Sequence, residues 1–373
     1  MIKTEFSNNI NILATGESPY LSRHTFLFQT LSSHCKQLQI LQRQNEWYEA
    51  RIPRLLLKYL YALRVFSKSK ADTLFQKNKR EFIAKSQRFE QEILQLGFAP
   101  DLVFHIFNTF SPSWNEYTVP YVLYLDYTMA LSEENKLSWA YFLNRTDRDG
   151  WVTCEQQLFQ RAKHIFSQSQ VVKNSLVKDY QISPDRVTVV GASGDFQEPY
   201  DGEKFFGSQQ ILFNGSDFHR KGGSLVLAAF KQVKQVLPNA KLVVIGKKMV
   251  MQQEGIENPG QVSRETLKEL FLTSDLVLAP ADCDPFPRFV MEAMNYGVPC
   301  IVSDRDGMPE IVDHSLNGIV IDKPTPNSLA TTIVDLLSYP DRLEVMSQAA
   351  QHKIRTHLNW NNVVSQIVSK LAE

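Results

Sequence analysis

No stretch of this chain comes near the ~18 consecutive apolar residues that a membrane-crossing helix requires. The amino terminus, MIKTEFSNNINILATG, lacks the apolar core of roughly 7–15 residues found in secretory signals, which points away from secretion. The four cysteines, Cys35, Cys154, Cys283 and Cys300, form no CxxC pair and have no histidine pattern beside them. This speaks against a disulfide scaffold or zinc framework and fits buried thiols in a reducing compartment. Neither sign of charge is in excess, since 40 Lys and Arg face 40 Asp and Glu, so no global field draws nucleic acid. No basic face or recognition motif appears either, and no nucleic-acid partner is expected. Internal repeats and low-complexity tracts are also lacking. What is present is apolar: 43% of the residues are hydrophobic and 23 are Phe, ample for the two or three cores that 373 residues suggest. The expectation is a cytoplasmic protein of more than one domain.

The carboxyl half alternates between short apolar runs and amphipathic stretches. Strand-like runs fall at 211–215, 241–246, 275–280, 298–304 and 317–322. Helical patterns fall between them at 224–236, 263–272, 288–296 and 327–337. Such alternation predicts a parallel sheet covered by helices on both faces. The amino half is less regular, with strands expected at 10–14, 101–107, 120–126, 164–167 and 186–190. Long helical patterns are expected there at 20–41, 49–66, 71–96 and 151–163. The segment GASGDFQEPYDGEKFFGSQQ (191–210) concentrates Gly, Pro and polar residues as a linker does. The fold class is therefore α/β, with two parallel-sheet domains and a cleft between them.

Three polar clusters follow apolar runs and open helical patterns, which puts them at carboxyl ends of strands. Open α/β sheets bind ligands along that edge. In ILFNGSDFHRKGG (211–223), Lys221 stands at a helix start beside two glycines, and a cation with free helix N–H groups suits phosphate. A solvated surface lysine is the equal alternative on spacing alone. In SDLVLAPADCDPFPRFVMEAMNYGVPCIVSD (274–304), Asp284 precedes Glu292 by two helical turns, with Arg288 near the helix start. Two carboxylates so placed can meet sugar hydroxyls through charge-assisted hydrogen bonds. The alternatives are a helix-terminal charge for Asp284 and a surface residue for Glu292. The apolar neighbours Val290, Met291, Ala293 and Met294 favour function for Glu292, because a buried acid is costly without a partner. The third cluster, DGMPEIV (306–312), offers Glu310 as a helix cap or a ligand contact, and capping is the simpler reading. A D-x-D metal pattern occurs at 282–284, 147–149 and 304–306, and three occurrences in one chain discriminate nothing. No metal is assigned.

Through these residues the chain resembles the retaining glycosyltransferases of the GT-B fold, specifically the family 4 group (glycosyl transferases group 1). The likeness is strong over 211–322, weaker over 151–194, and returns in the tail at 360–371. Residues 1–100 add little to it. The resemblance implies two Rossmann-like domains facing each other across a cleft. Residues 1–195 would form the acceptor-side domain, 196–350 the nucleotide-sugar domain, and 351–373 a helix crossing back to the first. It implies transfer of a hexose from a nucleotide sugar to a glycan or lipid-linked glycan hydroxyl, without cofactor or metal. Lys221 would hold the donor diphosphate, with Arg220, Gly215 and Ser216 beside it. Glu292 would bind the ribose, Asp284 the transferred sugar, and backbone N–H groups around Phe286 and Arg288 the sugar or phosphate. In the amino domain, Gly16 would belong to a loop facing the cleft, and Asp126 would face the sugar. His24 and His105 are candidate acceptor-side groups, although a lone histidine is more often structural, which is the simpler reading.

Three positions depart from that family pattern. Asp284 replaces a Glu, Ser216 stands where many members carry an Arg, and Pro287 occupies a position often held by Gly. Together they bear on the donor and the rate, and Ser216 and Pro287 leave open another reading, a catalytically weak relative that serves as a scaffold or binding subunit. Finally, RIPRLLLKYLYALRVFSKSK (51–70) carries six Lys or Arg, no acid, and a row of leucines. One reading is a helix lying on the inner face of an anionic membrane near a lipid-linked acceptor. Tyr61 and Val65 interrupt its basic face, which favours an ordinary domain helix with its apolar side in a core.

Overall fold

The computed structural model describes residues 10–41, 56, 59–60, 62–63, 74–115, 119–251 and 253–373. The chain divides into two compact units, residues 1–190 with 364–373, and residues 191–363. Among the described residues each unit is built on a six-stranded sheet in which every pairing is parallel.

In the first unit the strands are β1 (Asn11–Thr15), β2 (Gln37–Ile40), β3 (Leu102–Ile106), β4 (Tyr121–Leu125), β5 (His164–Ser167) and β6 (Val187–Val189), in the order β2-β1-β3-β4-β5-β6. Every residue of β3 and β4 is buried, as expected of parallel strands covered on both faces. Apart from His105, these runs read as apolar sequence. The helical pattern expected over 20–41 is corrected: the chain forms helices Ser18–Arg23 and Thr25–Ser32, breaks at His24, and ends in β2. Strand β2 lies at the sheet edge and half exposes its polar sequence QLQI, so it lacks the apolar signature. Helix Arg145–Arg161 begins six residues before the expected 151, because Asn144 accepts the N–H of Asp147 and caps it there. Helices Lys79–Gln95, Met129–Glu134 and Gln170–Tyr180 also belong to this unit.

Most of 51–70 lies outside the described residues. Within it, Leu56, Tyr59, Leu60 and Leu63 are helical and 62%, 63%, 55% and 52% exposed. Their i, i+3, i+4, i+7 spacing is that of one helix face, so that face is open rather than packed into a core.

In the second unit β7 (Gln210–Asn214), β8 (Lys241–Ile245), β9 (Ile256–Gly260), β10 (Leu276–Ala279), β11 (Cys300–Ser303) and β12 (Gly318–Ile321) take the order β12-β11-β10-β7-β8-β9. Five of these match the expected runs to within one or two residues. The sixth, β9, is not among the expected runs; its sequence IENPG contains a proline, which an edge strand tolerates. Helix Gly223–Val236 buries Val226, Ala229, Phe230 and Val233 on one stripe against Ile211, Phe213 and Val244. The linker-like segment after Gly191 is pinned to the second unit. Asp275 accepts the N–H groups of Gly207 and Gln209 at 3.1 and 2.7 Å, and Asn295 accepts that of Tyr200 at 2.9 Å. Helix Trp360–Leu371 matches the expected tail helix, and its residues from Val364 onward belong to the first unit.

Candidate active site

In the second sheet the strand order runs outward from β7 through β8 to β9, then returns to β10 on its other side. The carboxyl ends of β7 and β10 therefore diverge at a topological switch point, where open α/β sheets hold their ligands. Pairing of Leu276 with Ile211 and of Leu278 with Phe213 brings the two following loops out side by side. One loop carries Gly215–Lys221 and the other carries Ala281–Asp284. The turn between Lys221 and its helix depends on Gly222, which has φ 79°. A Cβ there would stand 2.5 Å from the carbonyl oxygen of Pro280, so only glycine lets the first loop close against β10.

This closure gathers three charges. The Lys221 Nζ lies 3.8 Å from Asp284 Oδ2, and Arg220 Nη1 lies 3.7 Å from Asp284 Oδ1. Lys221 and Asp284 are only 15% and 19% exposed, with Asn214, Ala281 and Pro287 lining the same small cavity. Burial pulls the Lys221 ammonium below its ordinary pKa, and the Asp284 carboxylate pushes it back up. Arg220 is already held in place: its Nε donates to Asp217 at 2.8 Å and its Nη1 to the Cys283 carbonyl at 2.6 Å. It thus fixes the β10 loop as well as adding positive charge.

The remaining predicted residues of this unit surround the three charges in distinct ways. The Gly215 N–H is used within the fold, on the Ile245 carbonyl at 2.8 Å, and the Ser216 N–H reaches the Asn214 side chain at 3.1 Å. Ser216 itself is exposed. Phe286 is buried and packs over Gly307, anchoring the loop rather than presenting a side chain. Pro287 is the cap of the helix Arg288–Asn295 and accepts the Val290 N–H at 3.1 Å. Arg288 lies in the first turn, 3.7 Å from Asp195. Glu292 has the partner that a half-buried carboxylate needs: its Oε1 accepts the Asp195 N–H at 3.0 Å. Burial pushes its carboxyl upward, and the Asp195 N–H opposes that shift.

Two contributors were not singled out from the sequence. Asp306, at φ 48° past β11, accepts the Asp284 N–H at 2.9 Å, while Gly307 N–H reaches the Pro285 carbonyl at 3.0 Å. The third cluster therefore braces the second, a role that the Asp-Gly turn signal at 306–307 hinted at. Its Glu310 lies in the first turn of helix Met308–Ile311, where Gly307 rather than a side chain is the cap. Arg264 pairs with Asp195 and so joins the Glu292 group, and only its place past the edge strand could have marked it.

The first unit has its own switch point between β1 and β3, where Thr15 pairs with His105. Gly16 follows β1 with φ 153°, and a Cβ there would lie 3.1 Å from the Ile106 carbonyl. Next to it Glu17 pairs with the buried Lys85 at 3.2 Å. Phe107, just past β3, adopts φ 69°, a strained conformation for an aromatic residue, and meets Tyr20 edge-on at 4.7 Å. Asp126 follows β4 and is half-buried. Burial and the nearby Glu17 and Asp126 push the Tyr20 phenol up to about 12. His105 is structural, as expected. It is fully buried, and its Nε2 faces the Phe110 carbonyl at 3.0 Å, so Nδ1 accepts from Thr15 at 2.8 Å. His24 is buried at the break between the first two helices, with Nδ1 2.7 Å from the Tyr20 carbonyl oxygen.

Comparison with known proteins decides the class of this arrangement. Residues 198–353 match the family of glycosyl transferases group 1. The likeness to glycosyl transferases group 1 is carried by this part of the chain. The chain is 29% identical over 172 residues to the uncharacterised glycosyltransferase MJ1607 of Methanocaldococcus jannaschii, covering 43% of this chain and 44% of that protein. It spans about half the length of the curated relatives it matches. Among solved structures, it is similar to WaaG, a glycosyltransferase involved in lipopolysaccharide biosynthesis, with a TM-score of 0.67 at 15% identity over 96% of this chain and 99% of that one. It is also similar to Anabaena Alr3699/HepE, solved with UDP and glucose, with a TM-score of 0.60 at 12% identity over 97% and 99%. These likenesses establish the two-domain GT-B fold. Among the described residues no group of three or more His, Cys, Asp or Glu could hold a metal ion. None of the described helices is long and apolar enough to cross a membrane.

Proposed function

We propose that this protein transfers a hexose from a nucleotide-sugar donor to an acceptor hydroxyl, retaining the configuration at the transferred carbon. The observation that carries the reading is the gathering of Arg220, Lys221 and Asp284 at the switch point of the second sheet. A nucleotide sugar is a diphosphate joined to a neutral ring, and this group offers cations for the first and a carboxylate for the second. As the glycosidic bond breaks, charge grows on the diphosphate, and fixed positive groups in a partly buried site lower that barrier. The rest of the catalysis is positioning. Glu292 supplies a carboxylate for the ribose hydroxyls, and its half-buried setting strengthens such bonds. No step in this scheme requires a metal. On the first unit, Asp126 and the Gly16 loop stand at the corresponding edge, and we assign them to the sugar and the acceptor side.

The test is donor turnover by the full chain, with nucleotide affinity measured in parallel. Glu292→Ala is expected to weaken nucleotide affinity about tenfold, the loss of a charged hydrogen bond, while turnover at saturating donor stays within a few fold. Normal affinity together with normal turnover in that variant would remove Glu292 from the site. A protein that binds nucleotide yet neither transfers nor hydrolyses the donor would be a binding subunit instead.

The acceptor class we favour is a glycan carried on lipid, with the protein working at the cytoplasmic face of a membrane. Support comes from the exposed row Leu56, Tyr59, Leu60 and Leu63 within a segment that has six basic residues and no acid. An apolar helix face in a segment whose sequence is rich in cations suits an anionic bilayer surface. The expected result is co-flotation with vesicles containing anionic lipid at low salt, lost with neutral vesicles and with Leu60→Glu. Absence of flotation at low salt would leave a soluble glycan as the acceptor.

A further inference from the structure

The loop after β4 carries Asp126, and the residues that follow it converge on one buried acid. Glu155, in helix Arg145–Arg161, is fully buried. Its Oε1 accepts the Met129 N–H at 3.2 Å and also the side-chain amide of Asn108. That same amide reaches the Tyr127 carbonyl at 3.3 Å. Its Oε2 accepts the hydroxyl of Tyr180, whose oxygen in turn accepts the Ala130 N–H at 3.1 Å. Tyr127, Met129 and Ala130, all within four residues of Asp126, are thus tied to a single carboxylate.

The tie also runs to β3. Asn108 follows the strained Phe107, so two loops at the carboxyl edge of the first sheet share this anchor. A buried carboxylate is an expensive way to fill space, and an apolar residue would pack there at lower cost. Burial pushes the Glu155 carboxyl up to about 7, against the pull of the Tyr180, Met129 and Asn108 donors. What the acid provides, and a leucine would not, is a fixed backbone path for the residues just after Asp126. We propose that Glu155, through Asn108 and Tyr180, is the positioning residue for the Asp126 loop and sets where that carboxylate is presented to the reacting sugar. The inference rests on the reading of Asp126 given above.

The experiment compares Asp126→Ala, Glu155→Gln, Glu155→Leu, Tyr180→Phe and the double variant Asp126→Ala/Glu155→Leu in the full chain. Turnover, donor KM and nucleotide affinity are measured for each. Nucleotide affinity reports folding of the second unit, and circular dichroism with thermal unfolding reports folding of the first. The expected pattern is a kcat loss of about tenfold or more in Glu155→Leu and a smaller one in Tyr180→Phe, with KM and nucleotide affinity within twofold of wild type. Glu155→Gln, which keeps the shape and part of the bonding, should recover most of the loss. The double variant should be no slower than Asp126→Ala alone, because two residues acting through one group are not additive. A purely structural role would give additive losses instead, and that outcome overturns the proposal. Wild-type kcat in folded Glu155→Gln and Tyr180→Phe beside a damaged Asp126→Ala overturns it too, leaving the Asp126 reading intact. Wild-type kcat in Asp126→Ala removes both.

Discussion

Lys221→Ala should lower kcat/KM for the nucleotide sugar by roughly two to three orders of magnitude, with the fold unchanged. That is the scale of losing one preorganised group that stabilises developing charge. Local charge explains why Lys221 matters more than Arg220. Arg220 is shared between Asp217, the Cys283 carbonyl and Asp284, so much of its charge is already matched. Without Lys221, the Arg220 cation and the Asp284 carboxylate nearly cancel, and the edge of β7 and β10 no longer favours a diphosphate. Only 15% of the Lys221 side chain is exposed, so water does little to screen its attraction for an anion. Lys221→Arg should not restore activity, because a planar, forked guanidinium does not place its charge where the compact ammonium sits. Kinetics with the intact donor, together with circular dichroism, check both points. A loss below threefold in Lys221→Ala would mean the diphosphate lies elsewhere.

Asp284→Asn should separate binding from chemistry. In the free protein the Asp284 carboxylate sits 3.7 and 3.8 Å from the two cations and competes with any anion for them. Removing its charge while keeping its shape frees those cations, so nucleoside diphosphate should bind as tightly as before or more tightly. Turnover should fall about a hundredfold, the scale of one electrostatic contact to the reacting sugar. The backbone there should hold, because the Asp284 N–H remains fixed by Asp306 at 2.9 Å. Calorimetry with nucleoside diphosphate and single-turnover kinetics read the two effects separately. A variant that lost affinity in proportion to its rate would place Asp284 among the phosphate ligands, against the assignment made for it.

The second unit was largely legible in the sequence, and the reasons are physical. Strands such as β10 and β11 are buried on both faces, so they appear as unbroken apolar runs between turn residues. Their loops carry charged residues next to Gly and Pro, which is how a ligand-binding strand end looks when written out. What escaped were the polar edge strands and the groups that act through the backbone. The strands β2 and β9 are edge strands, half polar, and the second holds Pro259. Asp306 braces Asp284 from a left-handed turn, and a D-x-D pattern repeated three times could not single it out. Glu155 is one polar residue among many in a helix, and only the folded structure shows three donors converging on it. The segment 51–70 could be described in sequence as basic and amphipathic, but not whether its leucines were packed or open. Exposed Leu56, Leu60 and Leu63 favour the open arrangement at those positions.

The central claim is that the edge of β7 and β10 binds the diphosphate of a nucleotide sugar. Isothermal calorimetry of the full chain with UDP, GDP and ADP, run in parallel on Lys221→Ala, tests it most directly. Saturable one-to-one binding of one nucleotide, weakened at least tenfold in the variant, is the predicted result and would also identify the donor base. Binding of none by the folded protein, or binding that Lys221→Ala leaves unchanged, would contradict it.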